Sequence, residues 1–197
     1  MDFVEFAKMP RLVREVIVTE KIDGTNACVG ITEDGRVFAG SRTRWITPEN
    51  DNFGFAAWVE ANKGELLQLG PGRHFGEWWG AGIQRRYGQT EKRWSLFNVG
   101  RWALHGTEPQ QIATADPRVV KMQDVLPRCC GLVPVLYRGA FDTAAIDSVI
   151  ADLRENGSKA APGFMKPEGI VVFHIAGNVG FKRTLERDEI PKALCAA

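Results

Sequence analysis

The sequence carries almost no net charge, with 25 lysines and arginines against 24 acidic residues. Overall charge therefore neither demands nor excludes a polyanionic partner, and only local clustering speaks to one. Cys28, Cys129, Cys130 and Cys195 show no CxxC spacing, and the three histidines fall in no ligand pattern beside them. This argues against a structural zinc site and predicts free thiols. No segment approaches the roughly 20 apolar residues of a membrane span. Met1-Asp2-Phe3-Val4-Glu5 carries acids where a secretory leader needs a basic start and an apolar stretch, so the expectation is a cytoplasmic protein with no membrane partner. Long proline-, glycine- or serine-rich stretches and internal repeats are also missing. With 44% apolar residues among 197, the chain reads as one domain over 1–197 with a substantial core.

What the chain does contain is mostly strand signal. Short runs rich in β-branched residues at 15–19, 27–31 and 37–40, with Asp23-Gly24 and Asp34-Gly35 between them, predict an antiparallel meander. Between 52 and 69, Phe55, Trp58, Val59, Leu66 and Leu69 recur near helical spacing until Gly70-Pro71-Gly72 stops the run, which predicts a helix. Further strands are expected at 73–79, 94–99 and 132–137, a helix at 143–155 with Asp142 as its N-cap, and final strands at 169–175 and 179–185. Strands outnumber helices without regular βαβ alternation, which argues for the α+β class.

The stretch TEKIDGTN, residues 19–26, places Lys21 between Glu20 and Asp23 at the end of the first apolar run. Two readings are open from the residues themselves: a solvated lysine beside a hairpin turn, or a nucleophile. Five later stretches bear on the choice: GSRTRW at 40–45, HFGEWWG at 74–80, SLFNV at 95–99, PEGIVVF at 167–173 and GFKRTL at 180–185. Each alone has an ordinary explanation, Glu77 as an edge carboxylate and Glu168 as the cap of a turn after Pro167. Their order carries more weight than any one of them.

With KxDGxN, SR, an FGE strand, an aromatic strand, EG before an apolar strand and a terminal lysine strand in succession, the chain resembles the covalent lysyl-nucleotidyltransferases. These are the superfamily of polynucleotide ligases and mRNA capping enzymes, and the chain is most similar to the ATP-dependent RNA ligases of the phage RNA ligase 2 type. The resemblance runs from Thr19 to Leu185. It implies an α+β nucleotidyltransferase (ATP-grasp-like adenylation) domain of mostly antiparallel sheets flanked by helices. It further implies that Lys21 attacks ATP, releases pyrophosphate and holds AMP as a phosphoramidate, that AMP passes to a 5′-phosphate, and that a 3′-hydroxyl displaces it. An amine attacks only when deprotonated, which suits a buried site with cations nearby. Magnesium, with manganese as substitute, is the implied metal, and the implied partner is RNA or a nicked duplex bound by a monomer.

By its match to the family pattern, Glu20 helps to recognise adenine through its backbone or its carboxylate, and Asn26 orients the phosphate or a metal-bound water. Arg42 contacts the ribose or a phosphate of the incoming strand, Glu77 accepts a hydrogen bond from a ribose hydroxyl, and Phe97 stacks on the base. Glu168 binds or orients the metal and Lys182 neutralises the α-phosphate. Two positions depart from the pattern. The family's last strand carries lysines two apart, where this chain has Lys182 and Thr184, and alternation would turn Arg183 away from the site. Asp23 stands where the phage pattern has histidine and is the form seen in DNA ligases and capping enzymes. The short flanks of Lys21 and Lys182 lead to the expectation of a minimal catalytic core, without an OB-fold or C-terminal accessory domain and with ATP rather than NAD as donor.

Arg42, Arg44, Arg85, Arg86, Lys92, Arg93 and Arg101 interleave with Trp45, Tyr87, Trp94 and Trp102. The mixture suits nucleic acid, and it reads equally as a solvated basic loop at 84–93 with core tryptophans nearby. Of Trp78 and Trp79, at least one is expected in the core, because adjacent strand residues face opposite sides. DNA ligase or capping-type guanylyltransferase activity, and a non-catalytic nucleotide- or RNA-binding module, are the other functions these residues allow.

Overall fold

The first two strands do not pair with each other. In the computed structural model, which describes residues 1–108, 110–113 and 120–186, β1 (Glu15–Lys21) and β2 (Thr25–Ile31) lie in different sheets. The predicted meander is therefore divided at Asp23-Gly24: turn chemistry dictates a change of direction, and pairing is decided by which buried face each strand carries. β2 does continue into β3 (Val37–Ser41) through the Asp34-Gly35 turn and then β4 (Trp45–Ile46).

The predicted helix over 52–69 is broken into α1 (Phe55–Ala61), α2 (Lys63–Leu66) and a 3-10 turn at Leu67–Leu69. Asn62 breaks it. Its side-chain amide donates to the Trp58 carbonyl at 2.7 Å, competing with the helical ladder. The chain then runs through β5 (Gly72–Gly80), β6 (Lys92–Leu96), β7 (Trp102–Ala103), β8 (Gln111–Ala113), β9 (Val120–Met122), β10 (Asp124–Val125) and β11 (Gly131–Leu132). β6 ends three residues before the boundary expected at Val99, so Phe97 lies just past the strand, its amide donating to the Phe75 carbonyl at 3.0 Å. β12 (Val135–Ala140), α3 (Thr143–Asn156), β13 (Gly169–His174) and β14 (Val179–Thr184) complete the fold. The single strand expected at 132–137 is split around Pro134, which has no N–H for a ladder. α3 begins where expected, with the Asp142 carboxylate accepting from the Ala144 amide at 2.9 Å.

Two sheets dominate, a four-stranded one in the order β12-β1-β13-β14 and a six-stranded one in the order β11-β6-β5-β2-β3-β4. Pairing is antiparallel apart from β11 with β6 and β10 with β7. Val16, Val18, Ile170 and Val172 bury one face of the smaller sheet against Ile146, Ile150 and Leu153 of α3. Ala27, Val29, Trp78 and Trp94 bury one face of the larger sheet against Phe55, Val59 and Leu66, where each large side chain contributes roughly 2–3 kcal/mol by leaving water. Between the two remaining faces lies a third cluster with Ile17, Ile22, Trp79, Tyr87 and Val133. Trp78 and Trp79 thus point oppositely, and both are buried. No helix among the described residues is long and apolar enough to cross a membrane.

Candidate active site

Lys21 is the last residue of β1, at the point where the chain leaves one sheet for the other. Its Nζ lies 2.5 Å from Oε2 of Glu168, with the lysine side chain 24% and the glutamate 6% exposed. Glu168 directly precedes β13, and Lys21 is registered opposite Gly169. That position admits only glycine: φ is 155°, and a Cβ there would meet the Arg183 carbonyl oxygen at 2.2 Å. Across β13, Gly169 faces Thr184 and Val171 faces Lys182, so Lys21, Lys182 and Thr184 share one face of the smaller sheet. Arg183 turns to the other face, where it pairs with Asp147 of α3.

The larger sheet meets this face at Gly24, whose amide donates to Glu77 Oε1 at 3.0 Å. A Cβ on Gly24 would lie 2.4 Å from the Trp78 carbonyl oxygen, so a side chain would push β2 off β5. Asn26 is registered opposite Glu77, and the register carried one residue past Ser41 brings Arg42 alongside Asn26. Phe97 and Phe75 form the next row.

Burial raises the Glu77 carboxyl to about 7; the Lys21 charge and the Gly24 amide pull it down, while Glu168 and Asp23 add to the rise. Between the ordinary value of 4.5 and about 7 the folded chain holds a proton that the unfolded chain has released. Glu77's contribution to stability therefore falls as pH rises through that window. Compared with Glu77→Gln, the native sequence is expected to lose on the order of 2 kcal/mol of unfolding free energy across it, measured as urea midpoints of both proteins against pH. Parallel curves would mean that Glu77 ionises as freely as in the unfolded chain.

Asp23, within the same turn, is held from two sides. Its amide donates to Tyr87 Oη at 2.9 Å and its carboxylate pairs with Arg85 Nε at 3.1 Å. Arg85 Nη1 reaches on to the Lys166 carbonyl at 3.0 Å, tying the turn after Lys21 to the segment that delivers Glu168. The supporting loop is strained, with φ of 42° at Gln84, 59° at Arg86 and 49° at Tyr87.

A family model described as RNA ligase matches residues 14–184. The chain belongs to the RNA ligase family. Solved structures of a Naegleria gruberi RNA ligase share its fold. A mutant of that ligase with ATP and Mn aligns with a TM-score of 0.57 and 19% identity, over 89% of this chain and 51% of the ligase. A second mutant, with AMP and Mn, aligns at 0.55 and 19%, over 87% and 49%. The same ligase with PPi aligns at 0.55 and 18%, over 86% and 49%. This member of the RNA ligase family thus spans about half the length of those ligase chains. No curated protein matches it.

Set against the residues expected of an RNA ligase family member, the structure brings Lys21, Glu168 and Glu77 together, with Asn26 and Arg42 in register beside Glu77 and Phe97 one row away. Lys182 is exposed on the Lys21 face. Glu20 was expected to meet adenine through its backbone or its carboxylate, and the carboxylate is already engaged. It is buried and accepts from Ser158 Oγ at 2.5 Å and from the Lys159 and Ala160 amides at 2.8 Å each, anchoring the segment after α3. Glu20→Gln would present an NH2 to those amides and is expected to lower unfolding free energy by about 2 kcal/mol, read from chemical denaturation; an unchanged midpoint would mean the anchor is dispensable.

The basic cluster is largely committed as well. Arg85 serves Asp23, Lys92 Nζ donates to the Phe53 carbonyl at 2.7 Å on the α1 side of its sheet, and Arg44 holds Asn50 at 3.1 Å. Tyr87, Trp94 and Trp102 are core residues, leaving Trp45 exposed. Arg86 and Arg93 remain at the surface, Arg93 stacked 6.0 Å from the Trp79 ring. Cys28, Cys129 and Cys130 are free thiols, and Cys195 lies outside the described residues. No sequence signal pointed to Ser158, or to the pairing of Arg85 and Tyr87 with Asp23, because the partners are distant in the chain.

Proposed function

We propose that this chain is the nucleotidyltransferase domain of an ATP-dependent RNA ligase, carrying AMP on Lys21. The observation that carries the reading is the Lys21–Glu168 ion pair at 2.5 Å, set where two sheets meet and faced by Glu77. A structural lysine gains little from such a place, whereas a nucleophile gains a fixed line of approach.

Lys21 Nζ forms a bond to the α-phosphorus of ATP while the bond to the bridging oxygen of the β-phosphate breaks, and pyrophosphate leaves. The ammonium must first give up a proton to gain a lone pair, and the Glu168 carboxylate 2.5 Å away is placed to take it. Lys182, on the same face and one row away, is placed to meet charge on the α-phosphate. Glu77 and Asn26 line the opposite wall for the ribose, and Phe97 offers its exposed ring to the base. AMP then passes to a 5′-phosphate and a 3′-hydroxyl displaces it, closing an RNA strand. The donor chemistry fits a hard divalent cation such as magnesium or manganese. Glu168 is a buried carboxylate, and because no group of three or more acidic, histidine or cysteine side chains gathers among the described residues, the remaining ligands would be phosphate and water oxygens. Bound there, the cation supplies charge neutralisation at the phosphates.

The test is incubation with labelled ATP or GTP and a divalent cation, followed by digestion to locate the adduct. An ATP-derived adduct on Lys21 is expected. A GTP adduct would move the chain to the capping type, and no adduct would make it a binding module.

A further inference from the structure

The face of the larger sheet that carries Glu77 continues past the catalytic row as an open aromatic surface. Trp45, Phe75, Phe97 and Phe38 are 50%, 48%, 40% and 39% exposed. Register puts them on one side: Gly40 opposite both Cys28 and Trp45, Cys28 opposite Phe75, and Phe38 opposite Gly30. The Trp45 ring lies flat on the sheet over two glycines, since a Cβ on Gly30 would meet it at 2.5 Å and one on Gly40 at 3.1 Å. Phe38 leans on it with ring centroids 5.8 Å apart. The Trp45 ring is thus packed on backbone while half of the residue is left to solvent.

Charge around the surface has one dominant sign. Arg73 shares the row of Gly30 and Phe38, and Arg42 sits at the turn before Trp45. Neither is ion-paired among the described residues. Arg36 lies 5.9 Å over the Phe38 ring, with Asp34 as its partner. Flat, exposed rings bordered by unpaired arginines match a chain of phosphates with bases free to stack. With strands ~4.8 Å apart, the surface from Phe97 to Trp45 is wide enough for more than one base.

We propose that the Trp45, Phe38 and Phe75 face is a stacking platform for unpaired bases of the RNA strand whose end is joined at Lys21. The proposal rests on the RNA ligase reading and assigns that reading's polymer to this face rather than to the loop at 84–93.

The experiment measures anisotropy of a labelled single-stranded oligoribonucleotide of about eight residues, and of an abasic oligomer of equal length, with ATP labelling of each protein run in parallel. Trp45→Ala is expected to weaken RNA binding roughly tenfold, Trp45→Phe to retain most of it, and both to label with ATP like the native protein. Binding of the abasic oligomer should not change. Undiminished RNA binding by Trp45→Ala overturns the platform while leaving the ligase reading intact. An equal loss toward the abasic oligomer overturns it in favour of charge alone. Self-association in sedimentation that disappears with Trp45→Ala would assign the face to a second copy and overturn it too. A native protein that binds RNA through Trp45 but never labels with ATP would sink the ligase reading instead.

Discussion

Lys21→Arg is expected to abolish covalent nucleotide labelling while the protein stays folded. Arginine is the informative replacement because of what surrounds the lysine. Glu168 is only 6% exposed and its partner is Lys21; alanine would leave a buried carboxylate alone, a change that costs roughly 3–5 kcal/mol and mixes unfolding with lost chemistry. A guanidinium keeps the positive charge facing Glu168, and it does not deprotonate to become a nucleophile. Labelled ATP with denaturing electrophoresis reads the adduct, and circular dichroism reads the fold. Since formation of the bond requires the amine, the expected yield is background. Full labelling of the arginine variant would place the adduct on another residue and remove the central claim.

Glu168→Gln should have the second largest effect. The amide retains size and one acceptor oxygen but removes the charge that holds Lys21 at 2.5 Å and that would hold a cation. Losing one preorganised charge at a phosphoryl-transfer centre lowers rates by about 100- to 1,000-fold, and that is the expected fall in single-turnover adenylylation. A role through a cation predicts more than a slower rate: the variant should also need a higher manganese concentration for half-maximal labelling. A slow variant with an unshifted manganese curve would make Glu168 a positioning group for Lys21 alone, and native rates would show it to be inessential.

The parts of this fold legible in the sequence were those decided by near neighbours. Asp142 announces α3 because the cap needs only its own next two residues. Lys21, Glu77 and Glu168 could be singled out because each sits in a short pattern whose order along the chain resembles the family's, and the structure brings the three together. Asp23-Gly24 misled because the same turn chemistry serves a hairpin and a crossing between sheets. For Glu20 the sequence left backbone and carboxylate both open, because the carboxylate's three donors come from Ser158, Lys159 and Ala160, more than 130 positions away. Arg85 read equally as a phosphate contact and as a solvated loop residue for a similar reason: it is paired 62 residues back, with Asp23. An arginine's local sequence does not reveal whether its planar fork is already filled.

The passage of the chain from β1 into β2 has a mechanical consequence. Ile22, Asp23 and Gly24 join the two sheets directly, with Ile22 buried between them and Gly24 bonded to Glu77. If one sheet rotates against the other, this joint and the two-residue link Val133-Pro134 between β11 and β12 fix the axis. Points near a pivot travel least, so Lys21 and Glu77 keep their separation while the far rim around Trp45 swings through the longest arc. A ligand could then enter and leave by the rim while Lys21 and Glu77 keep their alignment.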